Sequence, residues 1–147
     1  TVILSGSIGD GHSVASAIAL GADFAYLGTR FIATEEANAE PEYKKMLEES
    51  AAKDIVYSSL FTGVLGNYLK PSIENAGMDP ENLPDADKTS MNFGSGGNTD
   101  SKAWKDIWGS GQGIGGIQDS PTVSELVGRL KKEYEEAFNE FKSKMGV

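Results

Sequence analysis

Apolar residues fall into two short runs near the start of the chain, Val2-Ile3-Leu4 and Phe24-Ala25-Tyr26-Leu27. Each is closed by a turn of small residues, Ser5-Gly6-Ser7 after the first and Gly28-Thr29 after the second. An unbroken apolar run of this length, with no polar alternation, is the pattern of a parallel strand buried on both faces. Between the runs, Gly9-Asp10-Gly11 reads as a turn. Val14, Ala15, Ala17 and Ile18 then place small and apolar side chains along one face of a short helix over His12–Leu20. Gly21 stands where a helix commonly ends in a left-handed residue. Strand, helix and strand within about 27 residues form a βαβ unit, whose strands run parallel through a right-handed crossover.

Beyond this unit the alternation stops. Pro41 suits the first position of a helix running to about Lys53. Ile55-Val56-Tyr57 predicts a short strand or extended segment, and Pro71 and Gly77 bracket a short helix. Residues 78–101, rich in Pro, Asp, Asn, Ser and Gly, read as loop. A short helix over Ala103–Trp108 and a glycine-rich run over Gly109–Gly116 follow. The last element is the plainest: Thr122-x-x-Glu125 is a capping box. Val123, Leu126, Val127, Leu130, Tyr134, Phe138 and Phe141 then recur at helical spacing to about Lys144. That stripe is expected to pack into the core.

Composition narrows the function classes. A net charge of −9 argues against a nucleic-acid surface, which needs clustered Lys and Arg. With no cysteine and a single His, thiolate chemistry and multi-histidine metal sites are excluded, and no metal site is expected. No apolar run approaches a membrane span. The N-terminus lacks a signal-peptide pattern, and a cytoplasmic location is expected. Thr1 stands where an initiator Met would, directly before a strand, so the chain reads as part of something longer.

The two glycine turns are the first candidates for chemistry. Both lie at C-terminal ends of successive parallel strands and so face one rim. A phosphate requires backbone N–H groups pointing at it and a close approach of the chain; glycine permits the approach and Ser or Thr adds a hydroxyl. Spacing alone is met equally well by two tight turns. Gly111, Gly113 and Gly116 spell Gly-x-Gly-x-x-Gly by letter, but a helix precedes and Pro121 follows, which is not the strand–turn–helix context of a dinucleotide fingerprint. Asp10 is placed to cap the following helix, and His12 at its start is expected on the surface. Asp10, Asp23, Glu35 and Glu36 are the carboxylates nearest the turns in sequence. Lys44-Lys45 and Lys131-Lys132 read as solvated helix faces.

Val2-Ile3-Leu4-Ser5-Gly6-Ser7-Ile8-Gly9-Asp10-Gly11 resembles the "VIAAGGIADG" segment of the nitronate monooxygenase family, formerly called 2-nitropropane dioxygenases. Leu20-Gly21-Ala22-Asp23, followed by Tyr26-Leu27-Gly28-Thr29-Arg30-Phe31-Ile32-Ala33-Thr34-Glu35-Glu36, is similar to that family's "LGADGVQMGTRFLATEES", and the distance between the motifs matches. Met91-Asn92-Phe93-Gly94, Ala103–Trp108 and Gly111-Gln112-Gly113 are similar to the tail of bacterial members. The Gly-Thr-Arg-Phe motif is shared with flavin-dependent enoyl-ACP reductases.

The resemblance implies an α/β fold: the C-terminal part of a TIM-type (β/α)8 barrel, its last βαβ unit, with a mainly helical C-terminal extension. Residues 1–62 would form the last strands and helices of the FMN-binding barrel, and residues 63–147 the loop and helical extension packing on it. It implies FMN held by Ser5, Gly6, Ser7, Gly28 and Thr29, with Tyr26 and Leu27 lining the same strand end. It also implies a glycine-rich run folded back near the flavin, with Gln112 a polar contact; a flexible tail loop fits that composition equally. Trp104 and Trp108 would pack one helix onto the barrel. The implied reaction is oxidation of an alkyl nitronate with oxygen. The alternatives are an FMN-dependent enoyl-ACP reductase and a non-catalytic fragment. The family's catalytic His lies on an earlier strand, so no residue here is assigned a catalytic role. Ser7 departs from the family's second glycine and reaches positive φ less easily. A complete barrel takes roughly 250 residues, so self-association or association with the missing barrel half is expected.

Overall fold

The computed structural model describes residues 1–84 and 106–146. The chain divides into two units, Thr1–Glu49 with Gly111–Val147, and Ser50–Ser110. The boundary drawn from the sequence after residue 62 falls inside the second unit, between its two strands.

In the first unit, strand β1 (Ile3–Ser5) leads through helix α1 (Gly11–Ala19) to strand β2 (Phe24–Tyr26). The strands pair in parallel, with Ile3 opposite Phe24, Leu4 opposite Ala25 and Ser5 opposite Tyr26. Asp10 caps α1, its carboxylate accepting the Ser13 N–H at 2.7 Å. Burial works against ionisation of this carboxyl, but the Ser13 hydrogen bonds outweigh it and hold it below its usual range. Gly21 adopts φ 95° just past the helix, as the sequence predicts. A four-residue helix α2 (Thr29–Ile32) and helix α3 (Pro41–Glu49) follow. Helix α3 stops short of the expected Lys53, and Ala52–Asp54 forms a separate 3-10 turn in the second unit.

The strands correct one expectation. They pair as predicted but are not buried: Ile3 is 59% exposed, Phe24 61% and Tyr26 63%. Apolarity records what a strand is suited to pack against, and among the described residues the sheet has only two strands.

The long helix α5 (Val123–Met145) opens with the predicted box: Glu125 N–H donates to the Thr122 hydroxyl, and Thr122 N–H to the Glu125 carboxylate at 3.0 Å. The Glu36 carboxylate accepts the orphan N–H of Val123 through both oxygens. Its stripe is only partly core. Leu126 is buried and Leu130 and Tyr134 are half-buried, while Val127, Phe138 and Phe141 remain exposed. Helix α1 packs against α5 through Gly11, where any Cβ would collide with the backbone of Leu130 and Tyr134. The Gly11 N–H donates to Glu133 Oε2 at 2.8 Å. Lys44 also differs from expectation: its Nζ donates to the carbonyls of Thr34 and Glu35 and is not merely solvated.

In the second unit, strand β3 (Ile55–Ser58) pairs antiparallel with β4 (Gly66–Leu69), and helix α4 (Lys70–Asn75) follows. Phe61, Tyr68, Ile73 and Ile107 form its core, with Phe61 edge-on to Tyr68 at 4.8 Å. The Trp108 N–H donates to the Ser72 hydroxyl at 3.0 Å. Met91–Gly94, Trp104 and most of the expected helix over 103–108 lie outside the described residues.

Arg30 is the least expected anchor. Its guanidinium is 3% exposed and donates to Ala33 O and to the carbonyl and carboxylate of Asp119. Asp119 also receives Arg129 of α5 at 2.7 Å. Burial lowers the Arg30 pKa and the Asp119 charge counters it. The Arg129 hydrogen bond, aided by Arg30, holds the Asp119 carboxyl below its usual range. A carboxyl lowered in the folded state stabilises above its unfolded pKa of about 3.9 and loses that contribution as pH falls through its folded value. Asp119→Asn should therefore cost about 1–2 kcal/mol near neutral pH, the site being partly solvated. Urea denaturation of both proteins should show the difference shrinking below about pH 4; a constant difference down to pH 3 would contradict this role for the charge.

Candidate functional site

Parallel pairing with Ser5 opposite Tyr26 sends both chains out at the same end of the sheet. Strand spacing of about 4.8 Å then sets Gly6-Ser7 beside Leu27-Gly28. Gly6 takes φ 96° and Ser7 φ 55°, so the chain reverses through two successive left-handed residues. Ser7 is the one non-glycine at positive φ among the described residues. Gly28 caps α2, which leaves the first N–H groups of that helix, beginning at Thr29, without intrahelical partners. At Gly6 and at Gly28 an added Cβ would meet nothing within 4 Å, so both turns border open space.

The glycine-rich run reaches this corner. Gln112–Gly116 forms a 3-10 turn beginning just after Gly111, whose N–H donates to Thr29 Oγ1 at 2.8 Å. A Cβ on Gly113 would lie 3.0–3.2 Å from the backbone of Ser7, tighter than most side-chain contacts, so the Ser7 turn would have to give by a few tenths of an ångström. Ile114 and Ile117 bury their side chains and fix the turn. Gln112 itself is exposed, between the two glycines that touch the strand ends. Of the sequence-predicted residues, Ser5, Gly6, Ser7, Tyr26, Leu27, Gly28 and Thr29 thus line one end of one small sheet, with Gln112 carried to it by its neighbours.

Three of the four nearby carboxylates have hydrogen-bond partners of their own. Asp23 accepts the Val2 N–H at 2.7 Å at the opposite end of the strands, Asp10 caps α1, and Glu36 caps α5. His12 is exposed on α1, as expected. Sequence reasoning missed Arg30 and Asp119. The signal was an arginine embedded in Gly-Thr-Arg-Phe-Ile, where flanking apolar residues point to burial.

Ser7 carries left-handed strain of about 1–2 kcal/mol for an L-residue, part of which glycine's greater unfolded entropy would offset. Ser7→Gly is expected to raise stability by about 0.5–1 kcal/mol in urea titration. A loss of stability would show that the Ser7 side chain makes a compensating interaction.

The family model described as nitronate monooxygenase matches residues 1–133. A nitronate monooxygenase from Paraburkholderia phytofirmans is 30% identical over 146 residues, covering 96% of this chain and 40% of the relative. A probable nitronate monooxygenase from Bacillus subtilis is 27% identical over 146 residues, covering 90% and 39%. Among solved structures, FabK from Thermotoga maritima superposes with a TM-score of 0.70 at 25% identity, over 97% of this chain and 46% of that one. Nitroalkane oxidase from Streptomyces ansochromogenes shares the fold with a TM-score of 0.64 at 22% identity, over 95% and 41%. The chain spans about two fifths of the length of these curated relatives.

Proposed function

We propose that this chain, which belongs to the nitronate monooxygenase family, supplies the flavin-phosphate cup of an FMN-dependent oxygenase acting on alkyl nitronates. The observation that carries the reading is the convergence of Gly6-Ser7, Gly28-Thr29 and the Gly111–Gly113 segment at one end of parallel strands, beside open space. This donor set suits a phosphate: backbone N–H groups at two turns, a threonine hydroxyl, and glycines that let the chain come close. Gly6, Ser7, Gly28 and Thr29 would hold the phosphate. Ser5, Tyr26 and Leu27 would line the strand ends beneath it, and Gln112 would offer an amide at the rim. When bound, FMN supplies the redox chemistry that couples nitronate oxidation to oxygen; the protein binds and orients it.

Apolar residues at the two faces of β1 and β2 would be covered by the further strands and the outer helices of a TIM-type barrel, of which these strands are the last. Expressed without those strands, residues 1–147 would associate with themselves or with the remainder of the barrel. No residue of this chain is assigned proton transfer.

The longest natural polypeptide carrying these residues is expected to purify yellow, with released FMN, and to consume oxygen when given propyl nitronate. A protein that binds no flavin would overturn the reading. Bound FMN with nicotinamide-dependent enoyl reduction and no nitronate-dependent oxygen uptake would favour the enoyl-ACP reductase alternative.

A further inference from the structure

We infer that the Gly111–Gly113 segment is a positioning element for the cup: it sets the direction in which the Thr29 hydroxyl donates and holds Ser7 in its left-handed turn. The inference rests on reading the cup as a phosphate site.

A threonine hydroxyl has one proton and two lone pairs. At Thr29 one lone pair receives the Gly111 N–H at 2.8 Å. The hydroxyl proton must therefore point away from Gly111, and no acceptor among the described residues takes it. Thr29 is half-buried, and the Gly111 contact narrows the directions open to its hydroxyl proton. A donor fixed in this way is oriented before any anion arrives, which removes an ordering cost on binding.

The second contact acts on the opposite arm of the cup. Ser7 at φ 55° is in a conformation that an L-residue holds only when its surroundings enforce it. Gly113 lies against the Ser7 carbonyl carbon, oxygen and Cα, where a methyl group would be 3.0–3.2 Å away. The Gly113 carbonyl in turn faces Gly9, whose own Cβ would stand 3.3 Å from it. One segment thus braces both turns, although it is more than 80 residues from Thr29 in sequence. Gly111 and Gly113 do not themselves hold the ligand; they act through Thr29 and Ser7.

Binding of FMN compared with riboflavin isolates the phosphate, because the two flavins differ only there. Dissociation constants from quenching of flavin fluorescence, on the longest natural polypeptide carrying these residues, give the readout. The wild-type protein should bind FMN more tightly than riboflavin. Thr29→Val should weaken FMN roughly tenfold, the cost of one hydrogen bond to a charged group, with riboflavin unchanged. Thr29→Ser, which keeps the hydroxyl, should recover most of the loss. Gly113→Ala should weaken FMN selectively as well, with thermal melting of the flavin-free protein showing that it folds. If the wild-type protein does not prefer FMN, the phosphate-cup reading fails. If it prefers FMN but Thr29→Val leaves the preference intact, the positioning inference fails while the cup stands. If Thr29→Val removes the preference but a folded Gly113→Ala does not, bracing through Ser7 is overturned. The Thr29 pair decides the hydroxyl's role even where Gly113→Ala does not fold.

Discussion

The parallel pairing of Ile3–Ser5 with Phe24–Tyr26 is the constraint on which the rest of the candidate site depends. An antiparallel pair would send the two turns to opposite ends of the sheet. The parallel pair, joined through a helix, delivers both to one end with a fixed lateral spacing. Once Ser5 is opposite Tyr26, the positions that follow are also fixed: Gly6 and Ser7 on one side, Gly28 and Thr29 on the other. The chemistry available at the corner then comes from backbone N–H groups and small side chains.

Two long-range ties keep that corner in place. Arg30, one residue beyond Thr29, is buried and bound to Asp119, which Arg129 holds to the long helix. A buried guanidinium without its carboxylate would be costly, so the segment after β2 and the start of α5 are coupled. Gly11 then allows the backbone of α1 to meet that of α5 with no side chain between them. Strand, short helix and long helix are thereby joined around the cup by one ion-pair network and one glycine contact.

Much of this was legible in the sequence where the signal is local. The Asp10 cap, the Thr122–Glu125 box, the Gly21 stop and the Pro71–Gly77 bracket each act within a few residues, and each stands where the pattern places it. The parallel pair was legible from two apolar runs and the spacing between them. What was not legible depends on partners distant in the chain. Arg30 and Asp119 are 89 residues apart, and Gly111 and Thr29 are 82 apart. Strand β4 was missed because Gly66-Asn67-Tyr68-Leu69 begins with two poor strand formers and gains its place by pairing with β3. The exposure of β1 and β2 was misjudged because apolar composition specifies an appetite for burial, not the neighbours present. For the same reason Val127, Phe138 and Phe141 carry a helical period yet remain open to solvent.

The central claim is that the strand ends and the glycine-rich run act together as one anion-binding corner. Backbone amide NMR on the longest natural polypeptide carrying these residues, titrated with FMN, tests it most directly. The account predicts that the amide resonances of Ser7, Gly28, Thr29 and Gly111 move together along one saturation curve. Shifts confined to residues 50–110, or movement of Ser7 and Gly111 with Gly28 and Thr29 unmoved, would contradict it.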